Sequence, residues 1–150
     1  MKRFSILYVL SMMAVYPALA DVGDTFTAVT EEGVEMTFVV TDEENKTCQA
    51  GTGNGIESRC VSSATKGSVT IPPTACGYRV TAVAEFAFYM CYGVTSVILP
   101  KGITSIGQEA FNESGVEEML IPASVTTIGS VRELLPSEIL SADSTDYLRG

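Results

Sequence analysis

The 150-residue chain has no histidine and no tryptophan. Without an imidazole no Ser-His-Asp or Cys-His arrangement can be built, and no unperturbed side chain can serve as a general base near neutral pH. Four cysteines are present, but none form a CxxC pair, so the familiar zinc ligand sets are missing as well. Basic residues are few. Nine Lys and Arg stand against 18 Asp and Glu, a formal net charge of −9. Such a surface repels nucleic acid and anionic lipid, whose binding needs clustered Lys and Arg. It accords with simple solubility outside a cell and leaves open an affinity for basic partners. Adjacent carboxylates occur at Glu31-Glu32, Glu43-Glu44 and Glu117-Glu118. On a strand neighbours point to opposite faces, which is wrong for paired acid/base work. The sequence therefore offers no catalytic residues, no cofactor-binding set and no metal ligands, and the expectation is that the chain is not an enzyme.

Long apolar runs are absent except at the start. Lys2 and Arg3 precede an apolar stretch over residues 4–15, and Ala18-Leu19-Ala20 supplies the small residues of a cleavage site. The stretch is too short to span a bilayer and Pro17 interrupts it. Residues 1–20 are therefore expected to be an export signal, with no membrane insertion of the chain after cleavage. Loss of Lys2 and Arg3 leaves 7 basic residues against 18 acidic ones, a net charge of −11.

What is present is a repeat. Val80-Thr81-Ala82-Val83 returns as Ile103-Thr104-Ser105-Ile106 and as Val125-Thr126-Thr127-Ile128, at steps of 23 and 22 residues. Between these, Ala87-Phe88 returns as Ala110-Phe111. Likewise Val94, Val97, Leu99 and Pro100 return as Val116, Met119, Ile121 and Pro122. A period of this size signals a solenoid in which each turn stacks on the last and shares one core. Within a turn the apolar strand positions should point inward and the proline should end the strand. The Val/Ile-Thr-x-Val/Ile segments should form an opposite wall, and the Ala-Phe pairs a phenylalanine spine on short helical turns. Ser68-Val69-Thr70-Ile71-Pro72 matches the strand before Pro100 and marks the first turn.

Upstream, Phe26 and Ala28 alternate with polar residues, as do Val34, Met36, Phe38 and Val40, around an acidic turn at residues 31–33. That reads as a β-hairpin, with a third short strand near residues 46–50 after the Asp42-Glu43-Glu44-Asn45 turn. Neither this turn nor the glycine-rich run at 51–55 carries the ligand spacing of a calcium or phosphate loop. The strands would cover the apolar end of the first solenoid turn. After Gly129 the pattern fails, since Arg132-Glu133 stand where an Ala-Phe pair is due. Residues 130–140 read as a short helix broken by Pro136, and residues 141–150 as a frayed tail. The tail either caps a miniature solenoid or belongs to a truncated repeat.

The segments VTSVILPKGITSIGQEAF and VEEMLIPASVTTIG resemble the repeat of the BspA-like surface proteins of Bacteroidales, which carry leucine-rich repeats of the Treponema pallidum type. The resemblance covers residues 24–129. It implies a mainly β fold: a short leucine-rich-repeat solenoid of parallel strands preceded by a small β-hairpin cap. The expected division is an export signal at 1–20, a cap at 21–67, a solenoid at 68–129, and a tail or truncated repeat at 130–150. Cys91 occupies the last place of the family's AFxxC, where Ser114 stands one turn later, so it reads as a buried free thiol. Of the three pairings open to four cysteines, Cys48–Cys60 is the candidate disulfide.

The resemblance implies a secreted or cell-surface binding protein that acts like an adhesin, its partner an extracellular protein of host matrix or bacterial surface. Outward positions on the parallel strands form two columns, Ser68, Ser96 and Glu118 in one, Thr70, Ile98 and Leu120 in the next. Ile98 and Leu120 are apolar where solvent is expected, which marks a candidate contact face. They could instead stack on each other or lie beneath the tail or further repeats. A spacer or repeat fragment without a ligand is the first alternative. An accessory glycan-binding module is the second, weakened by the scarcity of exposed aromatic residues. Oligomeric state stays open.

Overall fold

The computed structural model describes residues 20–129 and 139–141. The described part opens with the hairpin β1 (Thr25–Val29) and β2 (Glu35–Asp42), antiparallel with Phe26 opposite Phe38. Its turn closes through Gly33, whose φ of 84° suits glycine, with the Gly33 amide donating to the Thr30 carbonyl. Asp42 then accepts from the Asn45 amide at 2.9 Å and from the Asn45 side chain at 2.8 Å. This acidic turn delivers β3 (Thr47–Ala50), antiparallel to β2. A single 3-10 turn at Gly55–Glu57 follows.

From there the chain shuttles between two walls. β4 (Gly67–Thr70), β7 (Val94–Ile98) and β9 (Glu118–Ile121) form one wall. β6 (Tyr78–Val83), β8 (Ser105–Ile106) and β10 (Thr127–Ile128) form the other, with β5 (Thr74–Ala75) antiparallel to β6. The first wall is an all-parallel four-stranded sheet in the order β4, β7, β9, β11, where β11 is Ile139–Ser141. The second continues the cap: β3 pairs in parallel with β6, then β8 and β10 follow. The cap is thus hydrogen-bonded into the solenoid and does not merely lie against its end.

Apolar positions fall inward where the repeat places them. Val69, Val97 and Met119 stand in register on one wall, and Val83 and Ile106 on the other, all buried. Phe88 and Phe111 stack in the interior with centroids 5.1 Å apart and planes 12° from parallel. Their segments, expected as short helical turns, are turns without a helix. They form a third ladder: the Phe86, Phe88 and Met90 amides donate to the carbonyls of Gln108, Ala110 and Asn112 in the next turn. Phe86, Met90, Glu109 and Glu113 all take positive φ, two matching positions in each turn.

The recurring threonine also has a physical reason. The Thr104 amide and hydroxyl both donate to the Thr81 carbonyl, at 2.8 and 3.1 Å, and Thr126 does the same to Thr104 at 2.9 and 3.3 Å. Thr104→Val keeps shape and β preference but removes one donor, while the amide still satisfies the carbonyl. A loss of about 0.5–1 kcal/mol in the urea unfolding free energy is expected.

Two further expectations need correction. Ile139 and Leu140 lie in a strand parallel to β9, with Leu140 opposite Leu120, and not in a helix. The rest of the expected helix and tail, and residues 1–19 of the expected export signal, lie outside the described residues. The Cys48–Cys60 bond is also not formed, since all four cysteines are free. Cys48 stands opposite Val40 on β2, whereas the Cys60 carbonyl accepts from the Thr37 amide, three residues further along that strand. At about 3.3 Å per residue that offset is about 10 Å, beyond the reach of a disulfide, which needs Cα atoms within about 7 Å.

Candidate functional site

The outward face of the all-parallel sheet carries the columns expected from the repeat. Ser68 pairs with Ser96 and Ser96 with Glu118, while Thr70 pairs with Ile98 and Ile98 with Leu120. The alternation of the strands explains their exposure, since Val69, Val97 and Met119 between them fill the core. Ile98 is 46 % and Leu120 50 % exposed, against 0 % for Val97 and 2 % for Met119. Two large aliphatic side chains therefore stand side by side in solvent on neighbouring strands. Glu118 is exposed beside them.

Thr70, at the other end of the row, is half-buried because the β1–β2 turn reaches it. The Thr70 hydroxyl, and then that of Thr30, hold the Glu32 carboxyl below its ordinary range. Glu32 reads in sequence only as surface charge; its place at this row depends on a contact between segments 38 residues apart, which no local pattern encodes. Glu43 is also structural, accepting from the Tyr78 hydroxyl and pairing with Lys46.

A concavity of about 440 Å³ lies over the other wall. Its floor is the register row Gln49, Ala82, Ser105 and Thr127, and Glu85 and Gln108 stand along its rim. Among the described residues Glu85 is the one carboxylate in its lining, and they place no acid/base pair there. Among the described residues no group of three or more Cys, Asp or Glu side chains is placed to hold a metal ion. No helix among them is long and apolar enough to cross a membrane.

The thiols carry no nucleophilic arrangement. Burial pushes Cys48 up to about 12; burial, and then the nearby Cys91, push Cys60 well above its ordinary value. Burial raises Cys91 against the pull of Arg59, and raises the half-exposed Cys76. A thiol reagent at neutral pH is expected to label Cys76 in the folded protein and the other three only after denaturation. The same shifts set an alkaline limit. Below pH 9 Cys48 is protonated folded and unfolded; as pH rises from 9 towards 12 only the unfolded chain gives up its proton, so stability falls across that window. A urea midpoint that stayed flat up to pH 11 would contradict the burial.

The profile of the family described as BspA type leucine-rich repeat region matches residues 54–131, more than half of the chain, in six copies. Among solved structures the fold is similar to a leucine-rich cell surface protein from Faecalibacterium prausnitzii, with 21 % identity and a TM-score of 0.52 over 77 % of this chain and 30 % of that one. It is also similar to the pneumococcal vaccine antigen PcpA, with 20 % identity and a TM-score of 0.50 over 83 % of this chain and 40 % of that one. A leucine-rich repeat protein of T. pallidum has 20 % identity and a TM-score of 0.42 over 84 % of this chain and 63 % of that one. The chain thus spans less than two thirds of the length of each. The comparison with curated proteins found no match. With the repeat, the two parallel walls and the profile in agreement, the chain belongs to the BspA-type leucine-rich repeat family.

Proposed function

We infer that this chain is a non-catalytic binding protein that works outside the cell and engages an extracellular protein, of host matrix or another bacterial surface, through the outward face of its all-parallel sheet. The observation that carries the reading is the exposure of Ile98 and Leu120 in register on adjacent strands, with Ser68, Thr70, Ser96 and Glu118 around them. An exposed aliphatic pair set among polar side chains is the pattern of a contact surface. The description of one structural neighbour as a leucine-rich cell surface protein supports the location. In this reading residues 1–20 direct export, 21–67 cap the fold, 68–129 form the binding solenoid, and 130–150 are a tail or truncated repeat.

The test is capture of purified host extracellular proteins by residues 21–150, beside Ile98→Asp/Leu120→Asp with an unchanged circular dichroism spectrum. The reading expects a partner retained by the parent and lost by the variant, a drop of at least tenfold in affinity because two charges would be buried at the contact. Equal capture by both folded proteins would place the contact elsewhere, and capture by neither would favour the spacer.

A further inference from the structure

The sheet face leaves one segment unexplained. Residues 85–92 read Glu-Phe-Ala-Phe-Tyr-Met-Cys-Tyr. The solenoid takes Ala87, Phe88 and Cys91 fully inside, each 0 % exposed, and this throws Phe86, Tyr89, Met90 and Tyr92 to the outer edge of the turn. Phe86, Tyr89 and Met90 are half-buried there and Tyr92 is 64 % exposed. The Phe86 and Tyr89 rings meet edge to face, 5.6 Å apart at 84°.

The next turn presents different chemistry at the matching places. Glu109, Asn112 and Glu113 stand where Phe86, Tyr89 and Met90 stand one turn earlier. The backbone bonds from Phe86 to Gln108 and from Met90 to Asn112 fix the two rows side by side, about 5 Å apart as adjacent strands are. The Asn112 amide donates to Glu109 at 3.2 Å, and the Tyr92 hydroxyl donates to Glu113 at 3.1 Å. Both donors are neutral, and the ion pair found among the described residues is Lys46 with Glu43, elsewhere. The edge therefore joins aromatic surface to two carboxylates that no ion pair among the described residues neutralises, on a chain of net charge −9.

Aromatic faces beside carboxylates attract an Arg or Lys side chain twice, through the ring quadrupole and through charge-assisted hydrogen bonds. A neutral sugar would stack on the rings and donate hydroxyls to the carboxylates, but it brings no positive charge to offset theirs. We propose that this edge, Phe86, Tyr89 and Tyr92 with Glu109 and Glu113, is a second binding site, and that it takes Arg or Lys side chains of a polypeptide partner. It lies at the opposite end of β7 from Ile98, so it stands or falls independently of the sheet face.

The test is fluorescence anisotropy of labelled oligo-arginine, with oligo-citrulline as the neutral isostere, on folded parent and variants. Glu109→Gln/Glu113→Gln is expected to weaken oligo-arginine binding about tenfold or more, and Tyr92→Leu, which keeps apolar bulk but removes the ring, about threefold to tenfold. Glu35→Gln/Glu44→Gln, the same charge change at two exposed positions of the cap, should stay within about twofold. Equal loss from the two carboxylate pairs would reduce the effect to net charge and overturn the site. Unchanged binding by Tyr92→Leu, binding of oligo-citrulline as strong as of oligo-arginine, or competition by a neutral oligosaccharide would overturn it too.

Discussion

Phe88→Ala should lower the unfolding free energy by about 3–5 kcal/mol, a large share of the roughly 5–15 kcal/mol that holds a domain together. The side chain is fully buried and its ring stacks on Phe111. Ala87, Ala110 and Cys91, all 0 % exposed, are small and cannot grow into the space. The cavity would therefore stay open where it is made, so both the transfer and the void terms apply. A urea titration measures it. A loss under about 1 kcal/mol would mean that the turns slide to close the gap and that the spine is not the common core of the repeats.

Gly107→Ala should be nearly as damaging, for the opposite reason. A Cβ at this position would stand 2.3 Å from the Glu85 nitrogen and 2.6 Å from the Ala84 carbonyl carbon, both backbone atoms of the preceding turn. Gly129 meets Gln108 in the same way, at 2.4 Å. The amides of Gly107 and Gly129 donate to Val83 and Ile106 in the turn before, so the close approach is what the stacking of turns requires. In the first turn Ala84 occupies the equivalent place, and it is accommodated because Gly51 stands against it, with a Cβ there only 3.2 Å from that of Ala84. An added methyl at Gly107 has no flexible side chain to displace and must part the turns, and a loss of about 3 kcal/mol or more is expected. Gly102→Ala is the control: its Cβ would meet only the Val80 oxygen, at 3.7 Å, and should change stability by less than about 0.5 kcal/mol. Similar midpoints for the two variants would remove the steric account of the repeat glycines.

The parts of this fold that were legible in the sequence are those that repeat. The inward residues, the proline stops and the Phe88–Phe111 spine follow from positions that recur at one period, because every turn meets the same neighbours. The hairpin was legible through alternation at Phe26, Ala28, Met36, Phe38 and Val40. What stayed hidden depends on register between distant segments. β11 pairs with β9 although residues 130–138 break the pattern, and only the likeness of Glu138-Ile139-Leu140 to Glu118-Met119-Leu120 could have pointed to it. The failure of the Cys48–Cys60 pairing has the same origin, since spacing along the chain does not say where Cys60 lies along β2.

The candidate surfaces divide in the same way. Ile98 and Leu120 were visible as apolar residues at outward positions of a strand, where a period of two tells inside from outside. The aromatic edge was not, because Phe86, Tyr89 and Tyr92 sit in a turn with positive φ at Phe86 and Met90, and no simple period assigns faces there. The sequence pattern suggests few aromatic residues outside the core, whereas the fold brings three of them to one rim.

The most direct test of the sheet-face account is hydroxyl-radical footprinting of Ile98 and Leu120, with and without a saturating captured partner. The account expects oxidation of both side chains to fall at least severalfold on binding, while outward Thr81 and Thr104 on the opposite wall keep their rates. Unchanged oxidation of Ile98 and Leu120 in the saturated complex would contradict it.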